Sequence, residues 1–305
     1  MCIRDRPLLN ELKRPELGML DIPSENELAG DYQRHYRALH RVKVNNCCKA
    51  GGWQANEISA LAIKQFDDVG SCLVIVNTKA WAQELYQCCE TEVGEDSIFH
   101  LSTNQYPAHR KQLLNQVKAR LKDDQPVLCI STQLIEAGVD VDFGSVIRFL
   151  AGLDSIAQAA GRCNRHGKRI DENGEPIKGQ VFVVNPFQES TGMLKEIEVG
   201  KEKAQTVFNA NYEDYLSPDA IKHYFQEYFF NRSDDMVYRL EGRKFGSGGS
   251  LMNLLGNRDL TKPKHHSELE KMPWMKQAFM QAGKQFQAID APTQAVIIQH
   301  SEGKE

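Results

Sequence analysis

The chain has 305 residues and a formal net charge of −4, with 41% apolar and 26% charged residues. That composition belongs to an ordinary water-exposed globular protein of one large or two modest domains, and it excludes a polycationic nucleic-acid binder. Any contact with a phosphate backbone must be local, along a groove. No apolar run is long enough to span a membrane, and the start carries no signal-peptide core. The eight cysteines include the pairs Cys47-Cys48 and Cys88-Cys89, but no C-x-x-C and no histidine at zinc-ligand spacing. Reduced thiols in a cytoplasmic protein, without a structural metal, are the expectation.

Residues 1 to about 30 lack periodicity and carry Pro7, Pro15, Pro23, Gly18 and Gly30, so they read as a connector. Met1-Cys2-Ile3-Arg4 has the look of an arbitrary junction. Leu39 to Val44 alternates and suits a strand. Its neighbours Arg34, His35, Arg37, His40 and Arg41 suit either a solvated edge or a phosphate contact. A helix over Ala55 to Phe66 leads to the strand Cys72 to Val76, which ends in Asn77-Thr78. A helix from Lys79 to about Cys89 follows, then the strand Ile98 to Leu101, ending in Ser102-Thr103. A basic helix with His109, Arg110 and Lys111 comes next.

Val127 to Ile130 is a short apolar run after Pro126, suited to a strand buried on both faces. It ends in Ser131-Thr132. Three strands thus end in hydroxyl residues, which serve equally to cap the next helix or to meet a phosphate. Gln133 to Ala137 has helical composition and is stopped by Gly138; Val139-Asp140-Val141-Asp142 leads to a strand over Val146 to Leu150. Ligands of open parallel sheets bind outside the carboxyl ends of the strands. Ser131, Thr132, Gly138 and Asp140 are expected together on that rim. Asp154-Ser155 reads as a cap opening a helix from about Ser155 to His166, with Gly167 just past its end. Gln158, Arg162 and Arg165 would share one face of it. Two guanidiniums at a sheet rim suit a phosphate, although an isolated R-x-x-R is usually a solvated surface.

Gly167 to Gly179 is charged and hairpin-like, and the strand Gln180 to Asn185 follows. Helices are expected around Met193 to Phe208 and from Ser217-Pro218-Asp219 to about Phe230. Residues 231 to 272 read as irregular, with a basic run at Lys262 to His266. A last helix, Trp274 to Phe286, and a strand, Ala295 to Gln299, close the chain.

S-T-Q-L-I-E-A-G-V-D-V-D resembles motif V of superfamily 2 helicases, and Q-A-A-G-R-C-N-R-H-G resembles their motif VI. Within that superfamily, the wording of both resembles the helicase-nuclease of type I CRISPR systems. The strand Cys72 to Asn77, ending in Asn77-Thr78, with the helix from Lys79 to about Cys89, looks like motif IV, while H-L-S-T-x-x-x-P-A-H-R and F-x-x-I-D-A-P-T-Q-A-V-I resemble further elements of that family. The likeness covers roughly residues 55 to 300.

The resemblance implies an α/β fold, a RecA-like open parallel sheet with helices on both faces, followed by a mostly helical C-terminal region. The implied domains are a connector or the tail of a missing first RecA-like domain over 1–50, the second RecA-like domain over 51–187 and a truncated helical region over 188–305. Implied roles are Arg162 and Arg165 at the γ-phosphate of ATP, with Arg165 favoured as the finger, and Gln158 positioning. Gly138 and Asp140 turn toward the nucleotide. Thr78, Ser102, Thr103, Ser131 and Thr132 hold single-stranded DNA. A CRISPR RNA-guided surveillance complex is the implied partner. No Walker A loop and no D-E-x-H or D-E-x-D box occurs. In the family these groups, including the Mg2+ ligands, belong to a first RecA-like domain, so this length alone is expected to turn over little ATP. Another superfamily 2 helicase, or a non-catalytic RecA-like binding module, are the rival readings.

Overall fold

The structure is a computed structural model that describes residues 32–191, 194–232, 237–240, 249–255 and 278–287. Its frame is six parallel strands: β1 (Val42–Asn46), β2 (Ser71–Ile75), β3 (Ile98–Leu101), β4 (Val127–Ser131), β5 (Ser145–Phe149) and β6 (Gly179–Val184). They lie in the order β1-β6-β5-β2-β4-β3, and every pairing is parallel. The residues explain this arrangement. β2, β4 and β5 are near-continuous apolar runs, as strands covered on both faces must be. Cys72, Val74, Leu128, Ile130, Ile147 and Phe149 pack against the helices Ala55–Val69 and Lys79–Val93. The alternate residues Leu73, Ile75, Cys129 and Val146 are just as inaccessible, so the opposite face is covered too.

The helices are α1 (Tyr32–Ala38), α2 (Ala55–Val69), α3 (Lys79–Val93), α4 (Pro107–Lys122), α5 (Leu153–Ala160), α6 (Lys195–Asn209), α7 (Pro218–Asn231), α8 (Leu251–Leu255) and α9 (Phe279–Gln285). This is the expected RecA-like sheet with helices around it. Capping follows the sequence in places. Gln54 and Glu57 close a reciprocal capping box on α2, and the Thr78 hydroxyl accepts from the Trp81 amide to open α3. The chain divides into two compact units, residues 1–228 and 229–305. Within the second, Leu240, Leu254 and Ala282 form a small core. No helix among the described residues is long and apolar enough to cross a membrane.

Four expectations need correction. Residues 32–38 form a helix, and the following strand starts three residues later than Leu39, at Val42. The helix expected over Gln133 to Ala137 is a single 3-10 turn, Gln133–Ile135. Arg162 takes the carbonyls of Ile135 and Glu136, and continuing the helix would need those same acceptors. The helix expected over Ser155 to His166 opens at Leu153, with Gly152 as its cap, and stops at Ala160. Beyond it the backbone leaves the helix to pair with Phe143: the Phe143 amide donates to the Arg162 carbonyl and the Asn164 amide to the Phe143 carbonyl. Asn164 is left-handed, at φ 44°. Tertiary pairing thus overrides local helix preference. Finally, Leu251–Leu255 is a helix inside the stretch expected to be irregular. The connector over residues 1–30, the run Lys262 to His266 and the strand Ala295 to Gln299 lie outside the described residues, as does Trp274 of the last helix.

Candidate functional site

Parallel pairing places the carboxyl ends of all six strands on one edge of the sheet. Asn77-Thr78, Ser102-Thr103 and Ser131-Thr132 follow β2, β3 and β4 there. Backbone bonds lock these ends together: the Val76 amide donates to the Ser131 carbonyl, and the Thr132 amide to that of Leu101. The hydroxyls separate into two groups. Ser102 and Ser131 are fully buried. Ser131 donates to the Thr132 carbonyl, and Ser102 accepts from the Asn104 amide, so both shape turns. Thr103 is exposed, while Thr78 and Thr132 are half-buried. The amino ends of α3 and α4 open on the same edge, a geometry that favours anions.

Asp140 is not on that edge. The connection from Glu136 to Gly144 carries the chain back across the sheet, anchored by buried Val141 and Phe143. It ends beside Gly70 and Ser71, where a cavity of about 760 Å³ opens, lined by Asp140, Asp142, His166, Lys168 and Lys118 among others. The single rim expected from sequence is therefore two opposite edges joined by one connection. A parallel strand must be re-entered from its amino end, so the return crossing is unavoidable. Gly138 turns it with φ +71°, in open space.

At the amino edge, residues 161–167 form a turn that presents Arg165. The Asp142 carboxylate accepts from the Arg165 amide at 2.7 Å and from the His166 amide at 3.1 Å. Arg41 donates to the Arg165 carbonyl at 2.6 Å. The Arg165 side chain is 38% exposed and its Nε lies 3.0 Å from Asp140 Oδ1. Arg162 is different. It is buried, with Nε 3.0 Å from the Ile135 carbonyl and Nη2 2.5 Å from that of Glu136. It clamps the motif-V-like turn from behind. Gln158 is half-buried on α5, ahead of this turn. The two arginines therefore do not share a helix face with Gln158, and only Arg165 presents its guanidinium to solvent.

One cluster escaped the sequence reading. Arg148, in the middle of β5, is 0% exposed. Its Nη1 donates to Asn77 Oδ1 at 2.7 Å and to the Phe149 carbonyl at 2.9 Å. Its Nε stands 2.8 Å from Glu136 Oε1. Asn77 in turn donates to the Leu150 carbonyl and to Glu189, which Lys201 of α6 neutralises at 2.6 Å. Burial pushes the Glu136 carboxyl above its usual range, against the pull of Arg148 and Ser155. The one signal in the sequence was an arginine inside S-V-I-R-F, a run otherwise fit for a covered strand. A second join lies close by. Tyr224 of α7 donates to Asp154 Oδ1 at 2.7 Å, and a Cβ on Gly200 of α6 would stand 2.9 Å from the Gly152 backbone. The start of α5 is thus wedged against the C-terminal helices of the first unit.

Among the described residues no group of three or more His, Cys, Asp or Glu side chains is placed to hold a metal. Residues 68–168 match the family model described as CRISPR-associated nuclease/helicase Cas3, C-terminal. The chain is 33% identical over 142 residues to the CRISPR-associated nuclease/helicase Cas3 of Haloferax volcanii, covering 45% of this chain and 14% of that protein. It is 33% identical over 105 residues to the Cas3 of Methanothermobacter thermautotrophicus, covering 34% and 12%. The structure of T. fusca Cas3-ATP superposes with a TM-score of 0.50 at 18% identity, over 63% of this chain and 24% of that one. Residues 68–168 are thus similar to the C-terminal region of Cas3, and the chain spans about one seventh of the length of the Haloferax volcanii relative.

Proposed function

We propose that this chain supplies one wall of an ATP site and part of a single-strand track in an ATP-dependent DNA translocase acting in CRISPR defence. The observation that carries the reading is the connection from Thr132 to Asp142. It starts on the edge with exposed hydroxyls and helix amino ends, and finishes at the turn that presents Arg165.

The residues at the amino edge fit the phosphate end of a nucleotide. Arg165 is accessible and permanently charged, Gly138 leaves open space, and Asp140 is its exchangeable partner. ATP, bound with Mg2+ against an opposing domain, would supply the phosphoanhydride bond. Arg165 leaves Asp140 for the γ-phosphate oxygens and stabilises charge there, as an arginine finger does. Asp142 holds the backbone of that turn, Arg162 braces the turn behind it, and Gln158 approaches from α5. At the other edge Thr78, Thr103 and Thr132 grip the sugar-phosphate backbone, while buried Ser102 and Ser131 hold the turns that present them. Backbone contacts of this kind read no bases, so translocation is tolerant of sequence. The DNA is a single strand delivered by a CRISPR RNA-guided surveillance complex in the cytoplasm.

The test joins this chain to an opposing RecA-like domain and substitutes Arg165→Ala. Turnover falls by about a thousandfold or more while ATP binding stays near its original affinity. Unchanged turnover would remove Arg165 from the reaction.

A further inference from the structure

We propose that Glu136 and Arg148 form a two-position coupling element between the nucleotide edge and the strand-gripping edge. The inference rests on the function proposed above and names residues to which that reading gives no role.

Glu136 is tied to both edges. Its carbonyl accepts from Arg162 at 2.5 Å, and Arg162 stands three residues before Arg165 in the same turn. Its carboxylate faces the other way, toward Arg148, whose Nη1 holds Asn77, the residue before Thr78. A shift of the Arg165 turn therefore pulls on Glu136, and a shift of Glu136 is felt at the grip. The path is continuous through direct contacts.

The contacts of the carboxylate supply two arrangements. Glu136 Oε2 now accepts from the Ser155 hydroxyl of α5 at 3.1 Å. Oε1 lies 2.8 Å from Arg148 Nε, yet the two are not aligned as a hydrogen bond, and Arg148 Nη2, buried beside them, meets no acceptor. An arginine cannot discharge itself, so a guanidinium with an idle buried nitrogen is strained toward a better partner. Freed from Ser155, the carboxylate can turn and take Nε and Nη2 side-on, the fork geometry that guanidinium and carboxylate favour. The present arrangement shares Glu136 between Ser155 of α5, the helix leading into the arginine turn, and Arg148. The other releases α5 and gives the carboxylate wholly to Arg148 of β5, beside the grip. An element with two discrete arrangements, each favoured by one site, is what coupling between two sites requires.

The experiment uses the same two-domain protein and the variants Glu136→Gln and Ser155→Ala. Gln keeps an acceptor for Ser155 but cannot form the charged fork; Ala removes the hold of α5. For Glu136→Gln, turnover without DNA stays within about threefold and stimulation by a single strand falls about tenfold. For Ser155→Ala, turnover becomes largely independent of DNA. The double variant matches Glu136→Gln, because both act on one element. Stimulation unchanged in both variants overturns the coupling role alone. So does a loss of turnover and of DNA affinity in step with thermal stability, which is what a merely structural pair would give. If Glu136→Gln fails to fold, Ser155→Ala decides on the same criteria. If the unsubstituted protein shows no DNA-stimulated turnover, the proposed function falls and the coupling with it.

Discussion

Removing the Arg148 side chain tests whether the buried pair is held together by charge. In Arg148→Met the core keeps an unbranched side chain in β5, but Glu136 loses its counter-ion and Asn77 Oδ1 its donor. Breaking one partner of a buried pair costs about 3–5 kcal/mol. At about 2–4 °C per kcal/mol for a unit of this size, the melting temperature falls by about 6–20 °C at pH 8. The loss must depend on pH. Burial already raises the Glu136 carboxyl above its usual 4.5, with Arg148 and Ser155 opposing and Asp154 adding to the rise. Without Arg148 the rise grows. A raised carboxyl binds its proton more readily folded than unfolded. Stability is therefore greatest below pH 4.5 and is lost as pH climbs through the folded value. Protonated Glu136 needs no counter-ion, so as pH falls the deficit shrinks toward that of the lost hydrogen bonds, about 1–2 kcal/mol. Calorimetric or spectroscopic melts of both chains at pH 8 and pH 5 read this directly. The E136Q/R148M chain removes the titrating group and should show a nearly pH-independent deficit, although Glu189 and Asp154 remain close by. An equal deficit for Arg148→Met at both pH values would refute the charge argument and leave only a packing loss.

Two further outcomes follow from the same geometry. Asp142→Asn leaves one of the two amides of the arginine turn facing an NH2 group instead of a carboxylate oxygen. In the two-domain protein, turnover should fall about ten- to a hundredfold with ATP affinity little changed; wild-type turnover would show that the turn needs no such hold. Among the cysteines of the described residues, thiol labelling of the native chain at pH 8 should find exposed Cys88 first. Cys129 and Cys163, each buried and pushed up to about 12, should react only on unfolding; rapid labelling of either would contradict the packed sheet.

What the residues disclosed about themselves depended on how local the deciding interaction was. The strands of the core were legible because β2, β4 and β5 are runs whose both faces need cover, a property written in consecutive residues. The cap on α3 was legible because Thr78 acts within three residues of itself. The end of α5 was not. It is set by Phe143, some twenty residues upstream in sequence, which takes over the backbone of Arg162 and Asn164. That single error moved Arg162 and Arg165 from one shared helix face onto a turn where they do different things. One is buried as a clamp on Glu136 and the other reaches the surface, paired with Asp140. Spacing alone cannot make this distinction, since R-x-x-R reads identically in both settings. Arg148 was missed for a related reason: a charge in an apolar strand looks like an exception until the fold supplies Glu136 and Asn77. Glu136 sits inside the motif-V-like stretch, but its partner Arg148 lies outside every quoted motif. If the coupling inference holds, that pair is where the two edges of the sheet exchange force, and the order of the motifs along the chain is the order of contacts from grip to arginine.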